Sequence, residues 1–570
     1  MVDLLGRHPG VVVLHDFNLR KLADPADDQG FLLRALYCSH GYPALQEHCC
    51  GEDDVGKYPA NFPVLRGAIG VIVPCEHSRR LARECYGDSF TDDWRIIPSL
   101  ESPYPCAADQ YHEAVENFYE HSREALRERA LAALAAVVPQ QGDEQDWHSL
   151  ARGMNSVMPD IKPQRQLLVN VSGLNDRDGR SGIERLTRGV LKCLLASPPT
   201  GYRVEPIYAV PGRTGYYYAR EFALRFLGCP PHVLEDAPVE LQRGDVFLGL
   251  GLHHDLLLSN TAFFIDARQI GVEIDFVVYD LLPMLLPHAF VDGMAQNHAR
   301  WLSFLTSHAD GLACISRSVA EELIEWLNEN AAPRLRPLRL GWFPLGSDVH
   351  NAATAIGTVD QDLTAFSRRP SFLMVGTIEP RKGHAQVLAA FELLWKAGKD
   401  VNLVIVGEQG WMVDTLAAKL RAHPELGKRL FWLDRVNDGS LEAIYAACAC
   451  LISPSEGEGF GLPLIEAARH KTPILARDIP VFREVAGEHA TYFSGKAPFD
   501  LFQAVESWLA LHAENRHAPS EPIAWLTWAE STERLKEIIL KDGWQASWPT
   551  ERELRTHDNP VPKSAVSHSN

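Results

Sequence analysis

Long apolar stretches are missing from this 570-residue chain. Its longest uncharged apolar run, Ala443 to Ile452, is ten residues, whereas a bilayer-spanning helix needs about 20, so no membrane span is expected. Cysteine motifs are missing too. The eleven cysteines (Cys38, Cys49, Cys50, Cys75, Cys85, Cys106, Cys193, Cys229, Cys314, Cys448, Cys450) form no C-x-x-C and no metal-ligand spacing, which predicts reduced core thiols. A basic excess is also missing: 55 Lys+Arg against 74 Asp+Glu leave a net charge of −19. That argues against nucleic acid as a partner, since a nucleic-acid groove needs clustered positive charge. No leader is visible either, because the apolar run after Arg7, His8 and Pro9 is too short for a secretory h-region. A cytosolic chain is expected, with peripheral contact at the inner face of a membrane left open.

What is present is an ordinary globular composition, 46% hydrophobic and 23% charged. At roughly 100–200 residues per domain the length predicts about three to five compact units. Two local basic stretches stand out, Arg165, Arg177, Arg180, Arg185 and Arg188, and then Arg334, Arg336 and Arg339. Each is either solvated surface or a dock for an anionic acceptor or lipid head group.

From Pro370 to Phe493 short β-branched runs alternate with amphipathic helical stretches, the pattern of a parallel α/β sheet. The runs are 372–376, 402–406, 430–433, 450–453, 473–476 and 490–493, with helices expected at 384–397, 413–423 and 441–447. A second such region runs from Leu167 to Gly346, with strands expected at 167–171, 204–208, 245–250, 276–279 and 312–315. The opening segment repeats part of that second region. VVVLHD (Val11–Asp16) resembles DFVVYD (Asp275–Asp280), and GAIGVIVPCEHSRRL (Gly67–Leu81) resembles HADGLACISRSVAEEL (His308–Leu323). WRIIP (Trp94–Pro98) supplies a third strand, but a long helical stretch, Tyr111–Val138, follows instead of a nucleotide-binding half. The reading is an incomplete half-domain at 1–140, a linker at 141–166, domains at 167–346 and 370–545 separated by a hinge at 347–369, and a tail at 546–570.

Two motifs carry chemistry. In EGEGFGLPLIEA (Glu456–Ala467) a buried strand enters a loop holding Gly457, Gly459 and Gly461, and a helix follows. Such glycines let backbone approach a ligand, and the helix start suits a diphosphate. Glu458 in the loop and Glu466 in the helix could face a sugar ring and a ribose hydroxyl; the alternative is two surface carboxylates at a helix start. In VGTIEPRKGH (Val375–His384), Arg381 and Lys382 follow a strand end, where α/β sheets bind ligands. They could neutralise a leaving diphosphate or form a solvated pair. Both motifs lie at carboxyl ends of strands in one domain.

These pieces, with NLVIVGEQG (Asn402–Gly410), the run Leu441–Val485 and the helix WLTWAESTERLKEII (Trp525–Ile539), resemble the C-terminal domain of family-4 retaining glycosyltransferases. That family has the GT-B fold, two Rossmann-like α/β domains with parallel sheets facing across a cleft. Including the preceding domain, the resemblance covers Leu167 to Trp544. It implies that Glu458 contacts the donor sugar near the reacting carbon and that Glu466 binds the nucleotide ribose. The backbone of Gly459, Phe460, Gly461 and Leu462 would hold sugar and diphosphate, and Arg381 with Lys382 would hold the diphosphate. Thr377 stands where many relatives have another Arg. In LLVNVSGLNDRDGRSGIERL (Leu167–Leu186), Gly179 and Gly182 would let acceptor and diphosphate near the backbone. Base contacts would fall near Arg435 and Val436. Asp280 keeps the acidic half of a His-Asp pair whose His is Tyr279 here, while the opening segment has the intact pair His15–Asp16.

The resemblance implies a metal-independent hexosyltransferase using a nucleoside-diphosphate sugar, GDP-mannose-like, with no other cofactor. Its acceptor would be a glycan or lipid-linked glycan in bacterial surface polysaccharide (lipopolysaccharide O-antigen) synthesis, with partner glycosyltransferases open to it. A GT-B epimerase would need added acid/base residues and a cofactor-dependent phosphorylase a Schiff-base lysine; neither is visible. From another class, the chain could be a catalytically weak sugar-nucleotide-binding or scaffold protein.

Overall fold

The computed structural model describes residues 8–20, 29–52, 56–98, 107–137, 164–176, 182–252, 254–330, 334–347, 364–434 and 436–549, and a few isolated positions besides. Most of the linker (141–166), most of the hinge (347–369), nearly all of the tail, and Cys106, Arg177, Gly179, Arg180 and Arg435 lie outside them. Two compact units emerge. One comprises Met1–Val169, Leu194–Val246 and Asp266–Val272; the other comprises Asn170–Cys193, Phe247–Ile265 and Glu273–Asn570.

The first unit opens with three strands, β1 (Gly10–Val13), β2 (Ala68–Val73) and β3 (Arg95–Ile96), parallel and in sequence order. Valines and isoleucines with one or both faces covered favour this arrangement. The helix Ala107–His121 lies on it closely enough that a Cβ at Gly70 of β2 would fall 2.2 Å from the Phe118 ring. The strands β4 (Arg165–Asn170), β5 (Tyr202–Ala209) and β6 (Tyr216–Tyr218) neighbour one another in that order, with β5 and β6 antiparallel. The hairpin strand β6 is an addition to the five strands expected there. The helix Gln29–His40 ties the opening segment to β5: the Tyr37 hydroxyl donates to both Oε atoms of buried Glu205 at 2.9 Å, and Arg203 pairs with Glu205 at 2.5 Å. Burial and Glu205 push the Tyr37 phenol up to about 12.

In the second unit one run of strands has the order β17-β10-β9-β8-β7, where β7 is Val246–Gly249, β8 Glu273–Val278, β9 Gly311–Cys314, β10 Leu338–Trp342 and β17 Ala546–Trp548. The pairs β8–β9 and β9–β10 are parallel, and β10–β17 is antiparallel. Parallel sheets were expected throughout, so β6 and β17 correct that reading with antiparallel edges. The stretch read as tail starts with β17, whose Trp548 is opposite Leu338.

The remaining strands are β11 (Ser371–Val375), β12 (Asn402–Val406), β13 (Leu430–Leu433), β14 (Cys450–Ser453), β15 (Ile474–Arg477) and β16 (Thr491–Phe493). They form an all-parallel six-stranded sheet in the order β13-β12-β11-β14-β15-β16. Near-continuous burial of β11, β12 and β14 is what a parallel sheet covered on both faces requires. Phe372, Phe391, Trp508 and Leu394 fill the core on one side. The order reverses between β11 and β14, so their carboxyl ends open the crevice where such sheets take ligands.

Among the described cysteines none is in a disulfide. Cys229, Cys314, Cys448 and Cys450 are buried, but Cys50 and Cys75 are exposed, which corrects the expectation of core thiols throughout. No helix of the described residues is long and apolar enough to cross a membrane.

Candidate active site

After β11 the chain turns through a single 3-10 turn, Pro380–Lys382, and Gly383 then starts the helix His384–Lys396. Gly383 is required there: its φ is +77°, and a Cβ would sit 2.9 Å from the Pro454 carbonyl. The tight turn sets Arg381 and Lys382 beside the loop that leaves β14. In that loop Glu458 lies between the two cations. The Arg381 guanidinium donates to Glu458 Oε2 at 3.0 Å and to the Gly457 carbonyl at 3.1 Å, and its Nε donates to Glu379 at 3.1 Å. Lys382 Nζ donates to Glu458 Oε1 at 2.5 Å, and the Ser455 hydroxyl to the same oxygen at 2.6 Å. Burial pushes the Glu458 carboxyl up, but Lys382, Arg381 and Ser455 together hold it down at about 2. It is an anion at any working pH.

Asp280 follows β8 and comes from the other group of strands in the same unit. Its Oδ1 accepts from the Leu282 N–H at 3.0 Å, an Asx turn that fixes the carboxylate. Burial raises its pKa, while Arg381 and Lys382 lower it and Glu458 raises it further. The four charged side chains named from sequence thus share one field. His298 Nε2 stands 3.1 Å from the Asp280 carbonyl, which only accepts, so the proton is on Nε2; Nδ1 then accepts from His254 Nε2 at 3.2 Å. Burial pushes His298 down to about 4, so it is neutral. Sequence reasoning missed this pair, because two histidines 44 positions apart carry no spacing signal.

The glycine loop is where the two groups of strands meet. A Cβ on Gly459 would lie 2.1 Å from the Tyr279 carbonyl, and the Ser316 hydroxyl donates to the Gly459 carbonyl at 2.7 Å. A Cβ on Gly457 would lie 2.6 Å from the Leu282 side chain. Phe460 is buried, and Gly461, with φ +101°, starts the helix Leu462–Arg469. The Tyr279 hydroxyl is turned inward, donating to the Leu250 carbonyl and lying 3.4 Å from the Thr187 hydroxyl. Tyr279 therefore fills core where a sugar contact was in question.

Glu466 does not join the basic pair. It is 5% exposed, pairs with Arg185 at 2.7 Å through Oε1, and accepts from the Tyr445 hydroxyl at 2.8 Å through Oε2. Gly182 opens the helix Gly182–Ala196, and among the described residues nothing lies within 4 Å of a Cβ placed there. Val436 is described and half-buried. The second basic stretch is neither free surface nor dock in full: Arg334 donates to the Ala309 carbonyl at 2.6 Å and Arg339 pairs with Glu273, leaving Arg336 exposed. His15 and Asp16 lie exposed in the first unit.

Residues 357–522 match the family described as "Glycosyl transferases group 1". Over 524 residues the chain is 39% identical to the serotype-specific mannosyltransferase WbdA of Escherichia coli, covering 89% of this chain and 62% of that protein. A shorter match, 35% identical over 120 residues, covers 20% of this chain and 30% of O-antigen chain mannosyltransferase B of the same species. The chain thus spans less than two thirds of the length of the first relative. Among solved structures it is similar to sucrose-phosphate synthase of Thermosynechococcus elongatus, with 16% identity and a TM-score of 0.47 over 66% of this chain and 98% of that one.

Proposed function

We propose, from the premise that residues 357–522 are a group 1 glycosyltransferase domain, that this chain moves a hexose from a nucleoside-diphosphate sugar to a glycan or lipid-linked acceptor in surface-polysaccharide synthesis, with retention at the anomeric carbon. Mannose is the favoured sugar and a GDP-mannose-like compound the favoured donor, because the relatives bear mannosyltransferase names. One observation carries the reading: Arg381 and Lys382 converge on Glu458 at the crevice between β11 and β14, with Asp280 in the same field.

Breaking the bond from the anomeric carbon to the diphosphate builds negative charge on phosphate and positive charge on the ring. Arg381 and Lys382 are positioned for the first, and anionic Glu458 holds both cations in place before the donor arrives. No divalent ion is required in this scheme, since two fixed cations do the same electrostatic work. The close approach of Gly457 and Gly459 to Leu282 and Tyr279 leaves little room for water on that side of a bound donor.

The test is a panel of nucleoside-diphosphate sugars offered to the purified protein with a glycan primer. Transfer of one hexose, lost in Glu458→Ala, is expected. Binding without turnover, unchanged by the substitution, would instead establish a sugar-nucleotide-binding scaffold.

A further inference from the structure

Glu466 is a buried carboxylate, and both of its oxygens are engaged. A buried anion needs a compensating cation, and removing that cation costs far more than the pair itself is worth. The cation comes from the helix Gly182–Ala196, at a different end of the sequence and outside the group 1 domain. Arg185 reaches Glu466 Oε1 at 2.7 Å, and its charge also interacts favourably with Asp438, the first residue of the helix Asp438–Ala447. Tyr445 of that same helix supplies the second contact to Glu466. Arg185, Glu466, Tyr445 and Asp438 thus form one knot, and none of the hydrogen bonds of Arg381 or Lys382 described above enters it.

We infer that Arg185 is a positioning residue for the nucleoside end of the donor. It fixes the Glu466 carboxylate in one rotamer, with lone pairs left over for a ribose diol, and so makes nucleoside recognition depend on a helix from the other group of strands. The inference rests on the proposed donor chemistry and deepens it. The site would divide labour: Arg381 and Lys382 grip the diphosphate, and the Arg185–Glu466 pair reads the sugar of the nucleoside. Arg185 is therefore the useful member of its basic stretch, and it acts through a carboxylate rather than by meeting an acceptor.

The test compares two probes, GDP and inorganic diphosphate, by calorimetry on the full chain. Arg185→Met should weaken GDP about tenfold or more, the size expected for losing a charged hydrogen bond, while inorganic diphosphate binds as before. Arg185→Lys, which keeps the charge, should recover most of the GDP affinity. The double variant Arg185→Met with Glu466→Gln should be no weaker than Glu466→Gln alone, since the two act as one unit. Equal melting temperatures establish that each variant is folded; should Arg185→Met fail to fold, the Lys variant and the Glu466→Gln comparison carry the same decision. Unchanged or tighter GDP binding in Arg185→Met, parallel loss of both probes, or full additivity in the double variant each overturn the assignment. If the unaltered protein binds no nucleoside diphosphate at all, the donor reading falls together with it; if it binds and Arg185→Met binds equally well, only the Arg185 assignment falls.

Discussion

Two pieces of this molecule are built alike and differ in what surrounds them. In the first unit β1, β2 and β3 are parallel neighbours in sequence order, and in the second so are β8, β9 and β10. Each set leads with a strand followed within a few residues by an aspartate that closes an Asx turn: Asp16 accepts from the Asn18 N–H at 2.9 Å, and Asp280 from the Leu282 N–H at 3.0 Å. In each the middle strand runs directly into a helix, β2 through Pro74 and Cys75 and β9 through Ile315 and Ser316. There the likeness stops. Ser316 donates to Gly459, and the N–H groups of Arg317 and Ser318 donate to Glu484. Asp280 lies in the field of Arg381, Lys382 and Glu458. Cys75 Sγ lies 3.6 Å from the Ser78 hydroxyl, within its own helix start, and His15 and Asp16 face solvent. Asp280 thus differs from Asp16 in having two cations and a second carboxylate in its field.

The comparison can be broken or sharpened at several points, beginning with the largest effect. Glu458→Ala should lower the transfer rate about a thousandfold, the loss typical of a preorganised electrostatic group, read as kcat with a working donor. Its pH signature is next. Folding lowers the Glu458 pKa from 4.5 to about 2, so its stabilisation is complete above pH 4.5 and disappears as pH falls toward 2. That is worth about 3 kcal/mol, and urea unfolding should show a slope over this acid window that Glu458→Gln lacks. Gly459→Ala should cost about 2–3 kcal/mol through the clash with the Tyr279 carbonyl, whereas Gly10→Ala in β1, with nothing nearer than 3.9 Å, should leave the melting temperature in place. Asp280→Asn should slow transfer about tenfold or more, and Asp16→Asn not at all; an equal effect of the two would dissolve the distinction between the pieces. Tyr279→Phe, the mildest, should cost about 1 kcal/mol of stability with kcat/KM unchanged, because the hydroxyl faces Leu250.

Much of this was written in local sequence. The strands β12, β13 and β14 fall at the residues their β-branched runs marked, since buried parallel strands between helices are a strong local pattern. Arg381 and Lys382 meeting Glu458 follows from two loops leaving adjacent strands at the same edge. What was not legible is non-local. The strand β17 is three residues long and exists only because Leu338 and Leu340 offer an edge some 200 positions earlier. His298 supports Asp280 through a backbone carbonyl, which no side-chain motif encodes. Arg185 looked like one basic residue among several, and only the fold picks out Glu466 as its partner.

Tyr37 and Glu205 also carry a practical consequence. A shortened chain starting at Leu167 would strip the phenol and leave Glu205, 2% exposed in the intact protein, on an uncovered strand facing Arg203 and Arg220. Anyone shortening this protein from its front should expect poor solubility once the helix that carries Tyr37 is removed.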